Sequence, residues 1–170
     1  MNLGKELALK ARKKGICPEW FYVLKKEQDI DTLLDIYLKG IDFCLSNDYP
    51  SNEYIREHFK GKMESKGIFL DDRVSLINEK KVVALGSSAG RIEVNGHGVC
   101  QVFLKHNSEF TIVAKDNSFL MIDIFDNVTV IVNASGEAKV CVNRYGSAKL
   151  TCNQIENAII KVVEKNKKTY

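Results

Sequence analysis

Few side chains in this 170-residue chain are of a type and in a setting that could do chemistry. His97 stands in a glycine-rich turn, Asn95-Gly-His-Gly98. An imidazole there could serve as a general base or a ligand, but the sequence suggests no Ser, Cys or carboxylate partner for it, so it reads as an exposed turn residue. Asp116, Asp123 and Asp126 fall in or near strand ends. Aligned carboxylates of this kind can bind Ca²⁺ or act on sugars, and the alternative is a turn or solvated role. Phe125 and Tyr145 each follow a strand end, where an exposed aromatic ring could stack on a sugar. The candidate binding set is therefore Phe125, Tyr145, His97, Asp123 and Asp126. No residue is assigned a catalytic, cofactor-binding or metal-binding role, and no cofactor is expected.

Other patterns give still less. Gly96/Gly98 and the pair Gly86 and Gly90 do not extend to a dinucleotide-binding GxGxxG followed by a helix. Five cysteines, Cys17, Cys44, Cys100, Cys141 and Cys152, are widely spaced with no CxxC, and His58, His97 and His106 are scattered. That excludes a zinc cluster and suits free thiols in a reducing, cytoplasmic setting. Residues 1–72 carry 12 basic and 13 acidic side chains, and residues 73–170 carry 13 and 9. The surplus is too small and too concentrated in the last ten residues for a nucleic-acid groove. Lys10-Ala-Arg-Lys-Lys14 lies on the polar side of a helix and reads as a solvated face, and Trp20, Phe21 and Tyr22 read as core. Leu3–Leu9 is broken by Lys5 and Glu6, and no apolar run reaches about 18 residues, so neither a signal peptide nor a spanning helix is expected.

The elements that must position these residues change character along the chain. Up to about residue 72 the period is 3.6. Asn2, Pro18, Asp29 or Asp31, and Ser51 can each open a helix. The first ends at Gly15, the third runs to about Ser46, and the fourth stops at Gly67. From residue 73 the period is 2. Cys100, Val102 and Leu104 are followed at steps of 20, 18 and 20 residues by Leu120, Ile122 and Ile124, then Ala138, Val140 and Val142, then Ala158, Ile160 and Val162. A second series follows the same steps from Ile92/Val94 to Ile112/Ala114, Val130/Val132 and Leu150/Cys152. Turn residues recur between the paired strands, as in Asn95–Gly98, Lys115–Ser118, Asn133–Gly136 and Asn153–Asn157.

This spacing predicts an α+β chain. A helical domain, 1–72, precedes a short single-chain β-solenoid (parallel β-helix) of about five rungs, 73–170, with a basic C-terminal tail. One rung cannot bury its apolar side alone, so the rungs stack at about 4.8 Å into a column roughly 20–25 Å long. A β-sandwich with N-terminal helices is the alternative. On one sheet Val83, Leu85, Phe103, Met121, Cys141 and Ile159 point outward and want a cover, for which the helical domain is the simplest candidate. Lys165, Lys167 and Lys168 are expected to discourage edge-to-edge pairing at the column end.

The repeat resembles that of the bactofilins, small bacterial β-solenoid proteins that polymerise by stacking solenoid ends. The helix-plus-solenoid layout is also similar to small β-solenoid proteins of gut bacteria and their phages or mobile elements. The resemblance implies a structural part. The expected function is a non-enzymatic structural or protein-interaction scaffold, acting on a protein partner or by self-association, with no membrane and no nucleic-acid partner. The alternatives are a carbohydrate-binding or carbohydrate-processing β-helix protein, or a nucleic-acid-associated accessory protein.

Overall fold

A computed structural model describes residues 2–170. They form two compact units that divide between Lys66 and Gly67, a few residues before the expected Asp71–Asp72 boundary. In the first unit, α1 (Leu3–Arg12) opens on Asn2, whose carbonyl oxygen Oδ1 accepts from the Lys5 N–H at 3.3 Å. Next comes α2 (Pro18–Lys26), with proline at its start. Gly4 is the contact point between the two, because a Cβ there would collide with the Leu24 and Glu27 carbonyls. Asp29 opens α3 (Ile30–Lys39) by accepting from the Thr32 N–H and hydroxyl at 2.9 and 2.8 Å, and these bonds hold its carboxyl below the usual range.

The helices differ from expectation at three places. The long third helix is two, α3 and α4 (Ile41–Asn47), broken at Gly40. Next, α5 (Asn52–His58), capped by the Ser51 hydroxyl, stops nine residues short of Gly67. Gly61 takes a positive φ of 91°, and the Glu64 carboxylate accepts from its N–H, which starts a 3₁₀ turn at Met63–Lys66 instead. Finally, Trp20 and Phe21 are only half-buried and Tyr22 is exposed. On α2 only Leu24 is buried, because a short helix offers one narrow stripe and the aromatic run winds past it.

The second unit is a β-solenoid of about five coils. Sheet A runs β1 (Ile68–Leu70), β3 (Lys81–Leu85), β5 (Val99–Leu104), β7 (Phe119–Ile124), β9 (Lys139–Arg144), β11 (Ile159–Glu164). Sheet B runs β2 (Arg73–Ile77), β4 (Ala89–Val94), β6 (Glu109–Ala114), β8 (Thr129–Ala134), β10 (Lys149–Gln154). Every neighbouring pair is parallel. The sandwich alternative is thereby excluded, since its hairpins would pair antiparallel. From β4 onward six-residue strands alternate with four-residue turns, two of each to a coil.

The step is 20 throughout these coils and not 20-18-20. Ile122 pairs with Val142, and Ile112 with Val132. A slip of two residues keeps every apolar side chain on its face, so alternation alone does not distinguish 18 from 20. A 20-residue step puts Arg144 where the coils before it carry an apolar residue. This arginine occupies an inward register position opposite Ile124, and its Nε donates to the Ala148 carbonyl at 2.6 Å while Nη1 meets Glu164 at 3.2 Å. Ala138 and Ala158 are buried as expected, but at the last place of a turn. The first coil is shorter: Ile68 pairs with Val83 and Ile77 with Glu93.

The inward series makes one continuous core from Val82 to Ala158, with Cys100, Ile112, Leu120, Ile122 and Val132 each at 0% exposure. Burial pushes the Cys100 thiol up to about 12, so it stays protonated and inert at neutral pH. Ile122→Ala is expected to cost about 3 kcal/mol, and Ile160→Ala in the half-open last coil about 1 kcal/mol. Urea unfolding of the two variants measures the difference.

Candidate functional site

Each turn from residue 95 on places its second residue at positive φ: Gly96, His106, Asp116, Asp126, Gly136, Gly146 and Glu156, all between 54° and 65°. At Gly86, Gly96 and His106, all at positive φ, the N–H donates to a side chain of the next coil. The Asp116 carboxylate accepts from the Gly96 N–H at 2.8 Å. Asp126 accepts from the His106 N–H at 3.2 Å, and His106 Nδ1 accepts from the Gly86 N–H at 2.9 Å. The side chain of one turn thus caps the backbone of the turn before it. Amide ladders reinforce this along the column, with Asn143 donating to Asp123 at 2.7 Å and Asn157 to Glu137 at 2.6 Å.

Four of the five candidate residues gather on one edge of the solenoid, where sheet A turns into sheet B. Asp123 is the outward residue at the end of β7, bound to Asn143. Phe125 and Asp126 open the next turn, and Tyr145 opens the turn one coil on. The two rings stack with centroids 4.6 Å apart. Their exposures are 0% and 3%, so neither offers a face to a sugar. Burial, followed by the Asp123 charge, raises the Tyr145 hydroxyl's pKa. His97 stands apart, exposed as the third residue of a turn on the opposite edge.

Sequence reading missed Lys105 and His106 at this edge. Lys105 is 4% exposed, with its ammonium 5.4 Å from the centre of the Phe125 ring and 3.9 Å from Asp126. The signal existed: a uniform step of 20 sets Lys105-His-Asn-Ser108 over Phe125-Asp-Asn-Val128 and Tyr145-Gly-Ser-Ala148, so that Lys105, Phe125 and Tyr145 form one column. Among the described residues no group of three or more His, Cys, Asp or Glu side chains is arranged to hold a metal ion. The chemistry of the edge is cohesion between coils. The basic run on α1 is likewise engaged within its own unit, with Lys10 3.7 Å from Glu6 and 5.0 Å over Tyr54, and Arg12 5.4 Å over Phe21.

Two further features of the solenoid are open to solvent. A shallow concavity of about 580 Å³ lies along sheet B, lined among others by Arg73, Ser75, Arg91, Glu109, Thr111 and Thr129. Arg91 is tied at 3.2 Å to Glu93, whose carboxyl is held below the usual range by hydrogen bonds from Lys115 and then Arg91. The other surface is the end of the last coil. Leu150 and Ile160 are half-buried, Cys152 is exposed and Val162 is 40% exposed, at positions that are closed in the coils beneath.

The turn caps carry a testable consequence. Asp116→Ala removes the acceptor for the Gly96 N–H and puts a β-carbon at φ 56° without a side chain suited to it. A loss of about 1–2 kcal/mol is expected, with Asp116→Asn recovering most of it. Thermal unfolding of the pair reads this directly.

No helix of the described chain is long and apolar enough to cross a membrane. The chain matches no protein-family model, no curated protein and no solved structure.

Proposed function

We propose that this chain is a non-enzymatic protein-interaction scaffold that pairs with a second copy of itself through the C-terminal coil of the solenoid. One observation carries this reading: the last coil leaves its interior and its backbone edge open. At the same register positions one coil earlier, Val130, Val132, Val140 and Val142 are at most 3% exposed. In a parallel ladder alternate residues direct both N–H and C=O to the same neighbour. Ile159 and Lys165 donate backward, to Ala138 and Arg144, so Ile160, Val162 and Glu164 present theirs at the free end. Gln154 covers only one of these groups, accepting from the Ile160 N–H at 3.0 Å. An edge of this kind is a template for another strand.

Geometry favours a closed pair over a filament. Two six-residue strands, β10 and β11, form the open end, whereas β1 and β2 at the other end have three and five residues. β1 is also buried throughout. Like ends match each other better than unlike ends, and a two-fold axis closes such a contact. The candidate acids support the non-enzymatic part, because Asp116, Asp123 and Asp126 are engaged with backbone and amide partners. All five thiols are unpaired, which supports a reducing, cytoplasmic setting.

Light scattering across a dilution series tests the pairing. The mass is expected to rise reversibly to that of a dimer, and alkylation of Cys152 to slow while that of Cys17 does not. Lys149, Lys161 and Lys165 of two copies would face one another, so salt is expected to strengthen the association by screening. Ile160→Lys with Val162→Glu is expected to remain monomeric with an unchanged circular dichroism spectrum. A monomer at every concentration with constant Cys152 reactivity overturns the proposal, and an open-ended polymer overturns its symmetry.

A second reading, carbohydrate binding, is favoured by the sheet B concavity, where guanidinium, carboxylate and hydroxyl groups converge. On that reading Arg73→Ala with Arg91→Ala would abolish retention on a glycan array. No retention of the native chain dismisses it.

A further inference from the structure

The outer face of sheet A carries an apolar patch. Three columns of outward residues run across the strands; one of them, Val83, Phe103, Asp123, Asn143 and Val163, is buried or half-buried, and the other two are more open. The first open column is Val99, Phe119, Lys139 and Ile159, and the second is Lys81, Gln101, Met121, Cys141 and Lys161. Val99 is 60% exposed, Phe119 41%, Met121 40% and Ile159 55%. Large apolar residues clustered and framed by polar ones mark an interaction surface rather than ordinary scatter. From these contacts we infer that this face accepts an acidic amphipathic helix from a partner protein. The inference rests on the scaffold reading but uses a different surface from the terminal coil.

Charge selects the partner. The nine positions of the two open columns hold Lys81, Lys139 and Lys161 and no carboxylate; Asp123 in the adjacent column accepts from Asn143 at 2.7 Å, and Glu79 and Glu137 belong to turns leading into these strands. A second copy laid face to face would set lysine against lysine. A lipid surface calls for clusters of about 4–8 basic residues, more than this face has. A helix with leucine- or phenylalanine-like residues on one side and Glu or Asp flanking them satisfies both the rings and the ammonium groups.

Dimensions select the element. Val99 to Ile159 spans three strand spacings, about 14 Å, which roughly ten residues of α-helix cover at about 1.5 Å each. The two columns stand about 7 Å apart along the strand, within the roughly 10 Å width of a helix. The sheet's free edge already pairs by strand addition in the proposed dimer, but its face can be covered only by another layer. Met121 at the centre adapts to an imperfect fit.

The test uses a fluorescein-labelled, stapled helical peptide of about 14 residues with leucines at i, i+3, i+7 and i+10 and flanking glutamates, against its counterpart with lysines for glutamates. Saturable anisotropy is expected with the acidic peptide and not with the basic one. Phe119→Lys and Met121→Lys are each expected to weaken it at least about tenfold, as central anchors do, while circular dichroism is unchanged. Lys139→Glu with Lys161→Glu is expected to reverse the preference toward the basic peptide. The dimer-breaking Ile160→Lys/Val162→Glu variant is expected to keep peptide binding, so failure of the pairing leaves this result readable, and the reverse holds for the Phe119 variant. No saturable binding, equal binding of both peptides, or binding to phosphatidylglycerol vesicles in place of the peptide overturns the inference.

Discussion

Half a coil of this solenoid occupies ten residues, six extended and four turning, and the left-handed residue at the second place of each turn makes that length close. A turn without it would leave the following strand out of line with the one below. Glycine fills three of these places, where the conformation costs least, and at His106, Asp116 and Asp126 the side chain also accepts from an N–H of the turn beneath; Glu156 takes the same conformation at the last turn. The stacked core, the parallel ladders and the amide columns all presuppose that alignment.

The interior follows from it. Inward positions lie over one another at intervals of 20 residues, so a single apolar column fills each layer. Where the column ends, polar side chains take over. Arg144 and Glu164 sit over Leu104 and Ile124, and Gln154 sits over Ala134. These substitutions close part of the last coil while Cys152, Ile160 and Val162 keep the rest open. The solenoid therefore has one end built to the full coil and one end tapered, and the pairing proposed above is directional for that reason.

Much of this could be read from residue order, because a repeat states its own fold: inward and outward residues, parallel pairing and the number of coils were all legible. The exact step was not, since hydrophobic alternation is blind to shifts of two and Arg144 is a polar residue in an inward place. The break at Gly40 was hidden by a helical stripe that continues across it from Leu38 to Ile41. For the candidate site, residue types say less than the column does. Phe125, Tyr145, Asp123 and Asp126 look like a sugar platform in sequence, but the turn column stacks the rings on each other and commits the acids to neighbours. Lys105 escaped notice because a lysine at the mouth of a turn is ordinarily solvated, and only the column beneath it makes a place for its charge.

The uniform coil also governs how such a chain can change length over generations. Between Ala89 and Glu164 every coil is interchangeable in register with the next. A tandem duplication of one coil's worth of sequence would therefore add a rung without disturbing either face, whereas an insertion a residue or two longer or shorter would throw turns into strands. Growth by whole coils is the inexpensive path, and it would move the open end outward while leaving its chemistry the same.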